Sequence, residues 1–399
     1  MADSKPAKPG VSRLRKWGGR FALVSLLFVL AVMVWISGGR KVVGGIVLDW
    51  ARGRLERQLE ESRAQLPEIA DYEALLRKEV NGTNGWEHVE AGCKATREIE
   101  LRHRSDRENV FSVSSIGDFA DAWQAEAYGA KSDGIGSIRP AKFALVLSET
   151  ATLSAHAERA SKCDCIVNIE TNSEFLTSKK NGRNKWENMV SPHDFIGVLI
   201  TRVRLLALTG DAARANDEVW VLVMLASKLN VRLSKQKAID NIRSRSDVLE
   251  FGVLPLLKTG MLDVNTKQAL LAARWRSPGK DAELWLNNAA DAYDHLRYGL
   301  EHDIEMYFGV GDDSPFLEAR FVLANADWMA VATKNALAAR AGELDLRDEN
   351  WVEHYNAQYD TEFALVNGVV PCGRETMSWL VREVKREDKL WAEIETLAK

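Results

Sequence analysis

Apolar positions along this chain fall into three patterns. One is an unbroken run, Phe21 to Ile36, reading FALVSLLFVLAVMVWI without a charge. Another is apolar residues recurring every three or four positions, the period of a helix with one buried face. The last is short polar or glycine-rich stretches that separate the periodic segments.

The periodic segments predict helices over residues 42–64, 69–80, 86–103, 141–162, 191–209, 212–233, 235–258, 265–275, 281–308, 315–341 and 374–398. Pro67 ends the first, and Asn81-Gly82-Thr83-Asn84-Gly85 forms a turn after the second. Ser191-Pro192-His193-Asp194 places a Ser at the N-cap, a Pro at N1 and an acid at N3, which is a helix start. Gly210-Asp211 stops one helix and caps the next. Val219–Ala226 is apolar on all sides, and the length of its segment without Gly or Pro decides for helix over strand. Gly252 and Pro255 predict a bend or a split in 235–258. Only Cys165–Ile169 reads as a strand; Val110–Val113 reads as a short extended piece and Gly129–Pro140 as a loop. The fold class predicted is all-α: a transmembrane helix, then an irregular helical-hairpin, α-solenoid-like domain. The 34-residue period of a tetratricopeptide array is absent.

The uncharged run decides the topology. Sixteen helical residues span roughly 24 Å, and Ser37-Gly38-Gly39 extend the stretch toward the roughly 30 Å of a hydrocarbon core. Trp17 and Trp35 stand near its ends as interfacial residues do. Residues 1–20 carry six basic side chains against one acid, which favours a cytoplasmic N-terminus. The expected order is a basic cytoplasmic tail (1–20), a transmembrane signal anchor (21–39), a juxtamembrane amphipathic helix (40–66) and a helical soluble domain (67–399). The protein then sits in the inner membrane with one span and its bulk outside the cytoplasm, in the periplasm. The competing reading is a signal peptide cleaved at Ser37-Gly38-Gly39. Leu48, Leu55, Leu59 and Leu66 lie near heptad spacing, which suits either a coiled-coil stalk or a helix packed on its own domain.

Charge and cysteines narrow the partners. The net charge is −4, and about −9 without the basic tail, so no nucleic-acid surface is expected. Cys93, Cys163, Cys165 and Cys372 are possible disulfide cysteines in an oxidising compartment, with Cys163 and Cys165 too close to pair readily with each other. A lone Cys-x-Cys is a poor zinc signature.

The best candidate for proton transfer or metal binding is the stripe Asp291, His295, Tyr298, His302 and Glu305, spaced to share one helix face. Ala289, Tyr293, Leu296, Leu300 and Tyr307 form an apolar stripe opposite, so the polar one is expected to be the solvated face. No HExxH or GxSxG occurs, and Gly134-Ile135-Gly136 and Gly309-Val310-Gly311 read as loops. No catalytic, cofactor-binding or metal-binding residue is assigned, and no cofactor is implied.

The Asn81-Gly82-Thr83-Asn84-Gly85-Trp86 turn, Cys165 after a long helix, and the tract IGVLITRVRLLALTGDAARANDEVWVLVMLASKL form an ordered set. This set resembles a family of single-pass, exported, all-helical proteins of planctomycete-like bacteria. The likeness covers about residues 10–310 and implies topology and fold, with no activity to carry over.

These features point to a membrane-anchored, non-enzymatic helical scaffold or interaction protein with a protein partner or self-association. One alternative is a ligand- or peptide-binding sensor on a groove walled by 191–209 and 212–233. Another is an enzyme whose pocket gathers several of His156, His193, His295, His302, Glu301 and Asp303.

Overall fold

The computed structural model describes residues 40–103, 140–169, 192–231, 235–275, 281–301, 315–348 and 374–399. Residues 1–39, and with them the tail and the anchor, lie outside the described residues, as do the 110–113 piece and most of the expected 129–140 loop.

All regular structure among the described residues is helical, so the protein is all-α in this part. The helices are α1 (Arg40–Gln65), α2 (Tyr72–Lys78), α3 (Trp86–His103), α4 (Pro140–Glu149), α5 (Ala151–Lys162), α6 (Pro192–Leu208) and α7 (Ala212–Lys228). They continue as α8 (Lys235–Asp247), α9 (Leu254–Lys258), α10 (Val264–Ala272), α11 (Ala282–Glu301), α12 (Pro315–Arg340) and α13 (Arg374–Ala398). No described helix is long and apolar enough to cross a membrane.

Two apolar clusters form the interior. The first gathers α1, α2, α11 and α12; the second gathers α3, α5, α6, α7, α9 and α10. Within the first, α1 and α12 make the most extensive helix contact and run parallel. Gly44 abuts Pro315 at one end, the buried Thr333 hydroxyl donates to Ser62 at 2.9 Å further on, and Arg340 pairs with Glu68 at 3.1 Å near the other end. Of the four heptad-spaced leucines, Leu55, Leu59 and Leu66 are buried in this core, and Leu48, partly buried, packs against it. Their apolar face is therefore spent on the protein's own core, not on a free coiled-coil stalk.

In the second cluster Gly92 of α3 makes room for Phe195 of α6. A Cβ on Gly92 would lie 2.5 Å from the buried Phe195 ring. Helices α6 and α7 form the expected hairpin: Gly210 adopts φ +83°, and the Asp211 side chain accepts from the Arg214 amide. Helix α6 is buried almost throughout from Phe195 to Ala207.

The helix expected over 69–80 is divided at Asp71 into a 3-10 turn, Pro67–Ala70, and α2, whose N-cap is Asp71. Three further differences from the predicted elements have a tertiary reason. The helix expected over 141–162 turns at Thr150, where Arg202 donates to Leu147 O at 2.5 Å and to Thr150 Oγ1 at 3.0 Å. A guanidinium thus takes a carbonyl that the next helical turn would otherwise use. The helix expected to reach residue 233 ends at Lys228, because Leu229–Asn230 pairs with Ile166. The predicted 165–169 strand is in turn no strand, only isolated parallel bridges, Asn84 to Cys165 and Ile166 to Leu229.

Those bridges belong to a three-segment clasp. Asp164 Oδ2 accepts from Thr83 N and Thr83 Oγ1, both at 2.8 Å, while Asn84 Oδ1 accepts from Val167 N at 3.0 Å and Asn84 Nδ2 donates to Val167 O at 2.9 Å. Gly82 permits this. It adopts φ +85°, and the Asp164 carboxylate occupies the space its Cβ would need. The Asn-Gly turn of the sequence is thus an anchoring point between distant segments.

Candidate functional site at the junction of the two cores

Helix α13 carries Leu380, Val384, Glu387, Trp391 and Ile394 at spacings of 4, 3, 4 and 3, a single face, and all five are buried. Leu380 and Val384 join the first apolar cluster, and Trp391 and Ile394 join the second. Helix α8 repeats the arrangement: Ile239 and Ile242 lie in the first cluster, and Val248 and Leu249 just beyond it lie in the second. Both helices cross from one core to the other, and each carries a buried charge at the crossing. Glu387 and Arg245 meet there, Oε1 to Nη2, at 2.9 Å.

Aromatic groups seal the pair. Trp275 Nε1 donates to the same Glu387 oxygen. The Arg245 guanidinium carbon lies 5.1 Å from the Trp275 ring centroid, within cation–π range. Trp391 meets Trp275 edge-on with centroids 5.0 Å apart. Burial raises the Glu387 carboxyl above its ordinary pKa, against the opposing pull of Arg245 and the Trp275 hydrogen bond. Burial likewise lowers Arg245, opposed by Glu387.

A π-helical turn, Val248–Val253, follows α8 at this point, with Leu254 N donating to Leu249 O. Pro255 explains it. Proline has no amide hydrogen, and its ring clashes with the carbonyl four residues back, so the chain widens by one residue. Around the widened turn Arg386 of α13 donates to Asp247 Oδ1 at 2.7 Å, Glu250 Oε2 at 2.8 Å and Glu383 Oε2 at 3.0 Å. Its guanidinium also lies 5.8 Å from the Phe251 ring centroid. Burial works against this charge, yet Asp247 and Glu250 outweigh it and hold the guanidinium pKa above its ordinary value. His193 at the start of α6 completes the group, with Nδ1 3.5 Å from Asp247 Oδ2.

The chemistry available here is mutual neutralisation. Two arginines face four carboxylates; the Arg386 contacts are shared among three of them, while Glu387 Oε1 takes both contacts of the inner pair, and Glu387 Oε2 and Arg245 Nε make no hydrogen bond among the described residues. The arrangement locks α13 across both cores and ties it to α6 and α8.

The candidates singled out by the sequence are dispersed. His193 belongs to this group; His156 lies on α5, with burial the main cause and Arg159 and His88 further causes of its lowered pKa; Glu301 pairs with Arg297 at 3.6 Å. His295 is half-buried and its pKa is lowered by that burial, so the expected solvated stripe is not found at Asp291, His295 and Tyr298. His302, Asp303 and Glu305 lie outside the described residues. Among the described residues no three His, Cys, Asp or Glu side chains gather as a metal site would require. Cys93, Cys163 and Cys165 are free thiols; burial pushes Cys93 up to about 12, and Cys372 lies outside the described residues.

Sequence reasoning missed the Arg245–Glu387 junction. One signal was present: Glu387 occupies a core position in the 4-3-4-3 stripe of α13. A comparable signal was Arg202 within an apolar helix, where it is fully buried and pairs with Glu218 through bonds of 2.7 and 2.9 Å. No protein-family model, curated protein or solved structure matches this chain.

Proposed function

We propose that the protein is a membrane-anchored, non-enzymatic helical scaffold or protein-interaction protein of the cell envelope. In this reading 21–39 is a retained signal anchor, the N-terminus is cytoplasmic, and the helical-hairpin, α-solenoid-like domain faces the periplasm. Membership of the single-pass, exported, all-helical family that the Asn81–Trp86 turn, Cys165 and the 196–229 tract resemble is part of the same proposal. The partner is another protein or a second copy, not nucleic acid.

One observation carries the reading. The uncharged run Phe21–Ile36 ends four residues before α1, and α1 is built into the first core by Ala51, Leu55 and Leu59. An anchor in 21–39 is thereby joined to the folded domain through a helix, with no long linker. The buried charges also serve helix-to-helix registration, as suits a rigid support.

The test is affinity capture of C-terminally tagged protein from detergent-solubilised membranes of cells that express it natively. A stoichiometric partner, or a defined oligomer, recovered with the intact membrane-bound chain is the expected result. A processed, soluble, partner-free monomer would overturn the reading.

A further inference from the structure

The outer face of α1 changes character along its length. Val42, Ile46 and Trp50, each four residues apart and so on one face, are 66, 64 and 55 % exposed, and Val43 beside them is also exposed. Three turns of helix thus present a branched or aromatic side chain to the outside. The same face continues through Arg57, Glu60 and Glu61, all exposed and charged. The opposite face is continuous with the core throughout: Gly44 against Pro315, then Ala51, Leu55 and Leu59. The apolar outer patch is therefore confined to the end of the helix nearest the uncharged run. It begins six residues after Ile36 and extends for roughly 12 Å along the axis.

We infer that Val42, Val43, Ile46 and Trp50 lie in the headgroup zone of a lipid bilayer, so that the domain is seated directly on the membrane surface. This rests on the anchor reading of 21–39. The occupant follows from the order of chemistry along one line of chain: an uncharged run, then Ser-Gly-Gly-Arg-Lys, then a face of Val42, Val43, Ile46 and Trp50 with the exposed Asp49 at its margin, then a wholly charged face. That order matches the passage from hydrocarbon through the interface to water. The two zones flanking a hydrocarbon core of about 30 Å bring the bilayer to about 40–45 Å, and Trp is favoured in the interface. The parallel partner reinforces the geometry. Because α12 starts beside Gly44, its first turn, with Pro315 and Phe316, comes to the same end and widens the seat from one helix to two. A freely projecting stalk would need no such apolar rim, and its leucine seam is already occupied.

The test uses the full chain in phospholipid nanodiscs. Val42→Cys, Ile46→Cys, Trp50→Cys and Arg57→Cys are made singly in a background with the native cysteines replaced, then labelled with a nitroxide. Power saturation compares accessibility to oxygen, which partitions into lipid, and to a water-soluble nickel chelate. Positions 42 and 46 are expected to favour oxygen several-fold over position 57, with position 50 between them. Chelate accessibility at 42, 46 and 50 equal to that at 57 overturns the inference, as does spin–spin broadening at 46 that reports a second copy on this face. Should the cysteine-free chain not fold, quenching by brominated phosphatidylcholine decides: loss of a quenchable component in Trp50→Phe supports the inference, and an unchanged profile overturns it. Alkaline extraction separates the two readings. A chain that resists extraction but is aqueous at 42–50 keeps the anchor and loses the seat; a chain released by alkali loses both.

Discussion

Arg245 of α8 and Glu387 of α13 form a 2.9 Å ion pair at the point where both helices pass from one apolar core to the other. An isolated charge at such a point is costly, whereas a pair replaced together by apolar groups is often neutral. Glu387→Ala and Arg245→Ala are each expected to lower unfolding stability by about 3–5 kcal/mol, by stranding the other charge. Arg245→Met with Glu387→Leu is expected to recover part of this, because both charges are gone and only the Trp275 N–H is orphaned, at a cost of about 1–3 kcal/mol. Denaturant unfolding of the three variants measures it; a double variant as poor as the singles would show that the pair is not the source of the loss.

Two carboxylates bend the stability–pH curve in opposite directions. Burial raises the folded pKa of Glu387, so its contribution is fully present below the ordinary carboxylate pKa and is lost as pH rises through the folded value. The Thr83 backbone and side-chain hydrogen bonds lower Asp164, so its contribution is present above the unfolded pKa and is lost as pH falls through the folded one. Thermal midpoints between pH 2 and pH 7 are expected to fall less on acidification in Asp164→Asn than in the parent chain. In Glu387→Gln the decline with rising pH should vanish instead.

Gly92→Ala sets two effects against each other. Helix propensity alone would favour Ala by about 1 kcal/mol. Overpacking against the Phe195 ring, 2.5 Å from the new Cβ, costs about 1–3 kcal/mol. Packing is expected to win, with a lower thermal midpoint, and Gly92→Ala combined with Phe195→Leu should regain part of it. A stabilised single variant would mean that α3 and α6 can move apart freely.

Arg202 and Arg214 both contact Glu218, but only Arg202 is buried. Arg202→Met is expected to cost about 3–5 kcal/mol, since Leu147 O and Thr150 lose a donor and Glu218 its bidentate partner. Arg214→Ala should cost less than about 1 kcal/mol, as exposed pairs do. Equal effects in chemical denaturation would contradict the burial difference.

Cys93 is a buried thiol raised to about 12, whereas Cys163 and Cys165 are partly exposed. Native-state alkylation at pH 7.5, read by peptide mass spectrometry, is expected to modify Cys163 and Cys165 within minutes and Cys93 only on unfolding. Native labelling of Cys93 at a matching rate would place it at an open surface.

Local sequence determined what depends on local physics. The helices 86–103 and 374–398 run as their periodicity predicts, Gly210-Asp211 makes the hairpin, and Pro255 distorts α8 into a π turn, because period, capping and a missing amide hydrogen act within one or two turns. Tertiary structure decided the rest. Period alone cannot say which apolar face meets which, so the parallel pairing of α1 with α12, and with it the fate of the leucine seam, was not legible. Thr150 breaks a helix only because Arg202 arrives from another segment, and Leu229 leaves α7 only because Ile166 offers a backbone partner. Glu387 in a core stripe signalled a buried charge, but its meeting with Arg245 at the border of two cores is a property of three-dimensional packing, where desolvation makes the partner obligatory.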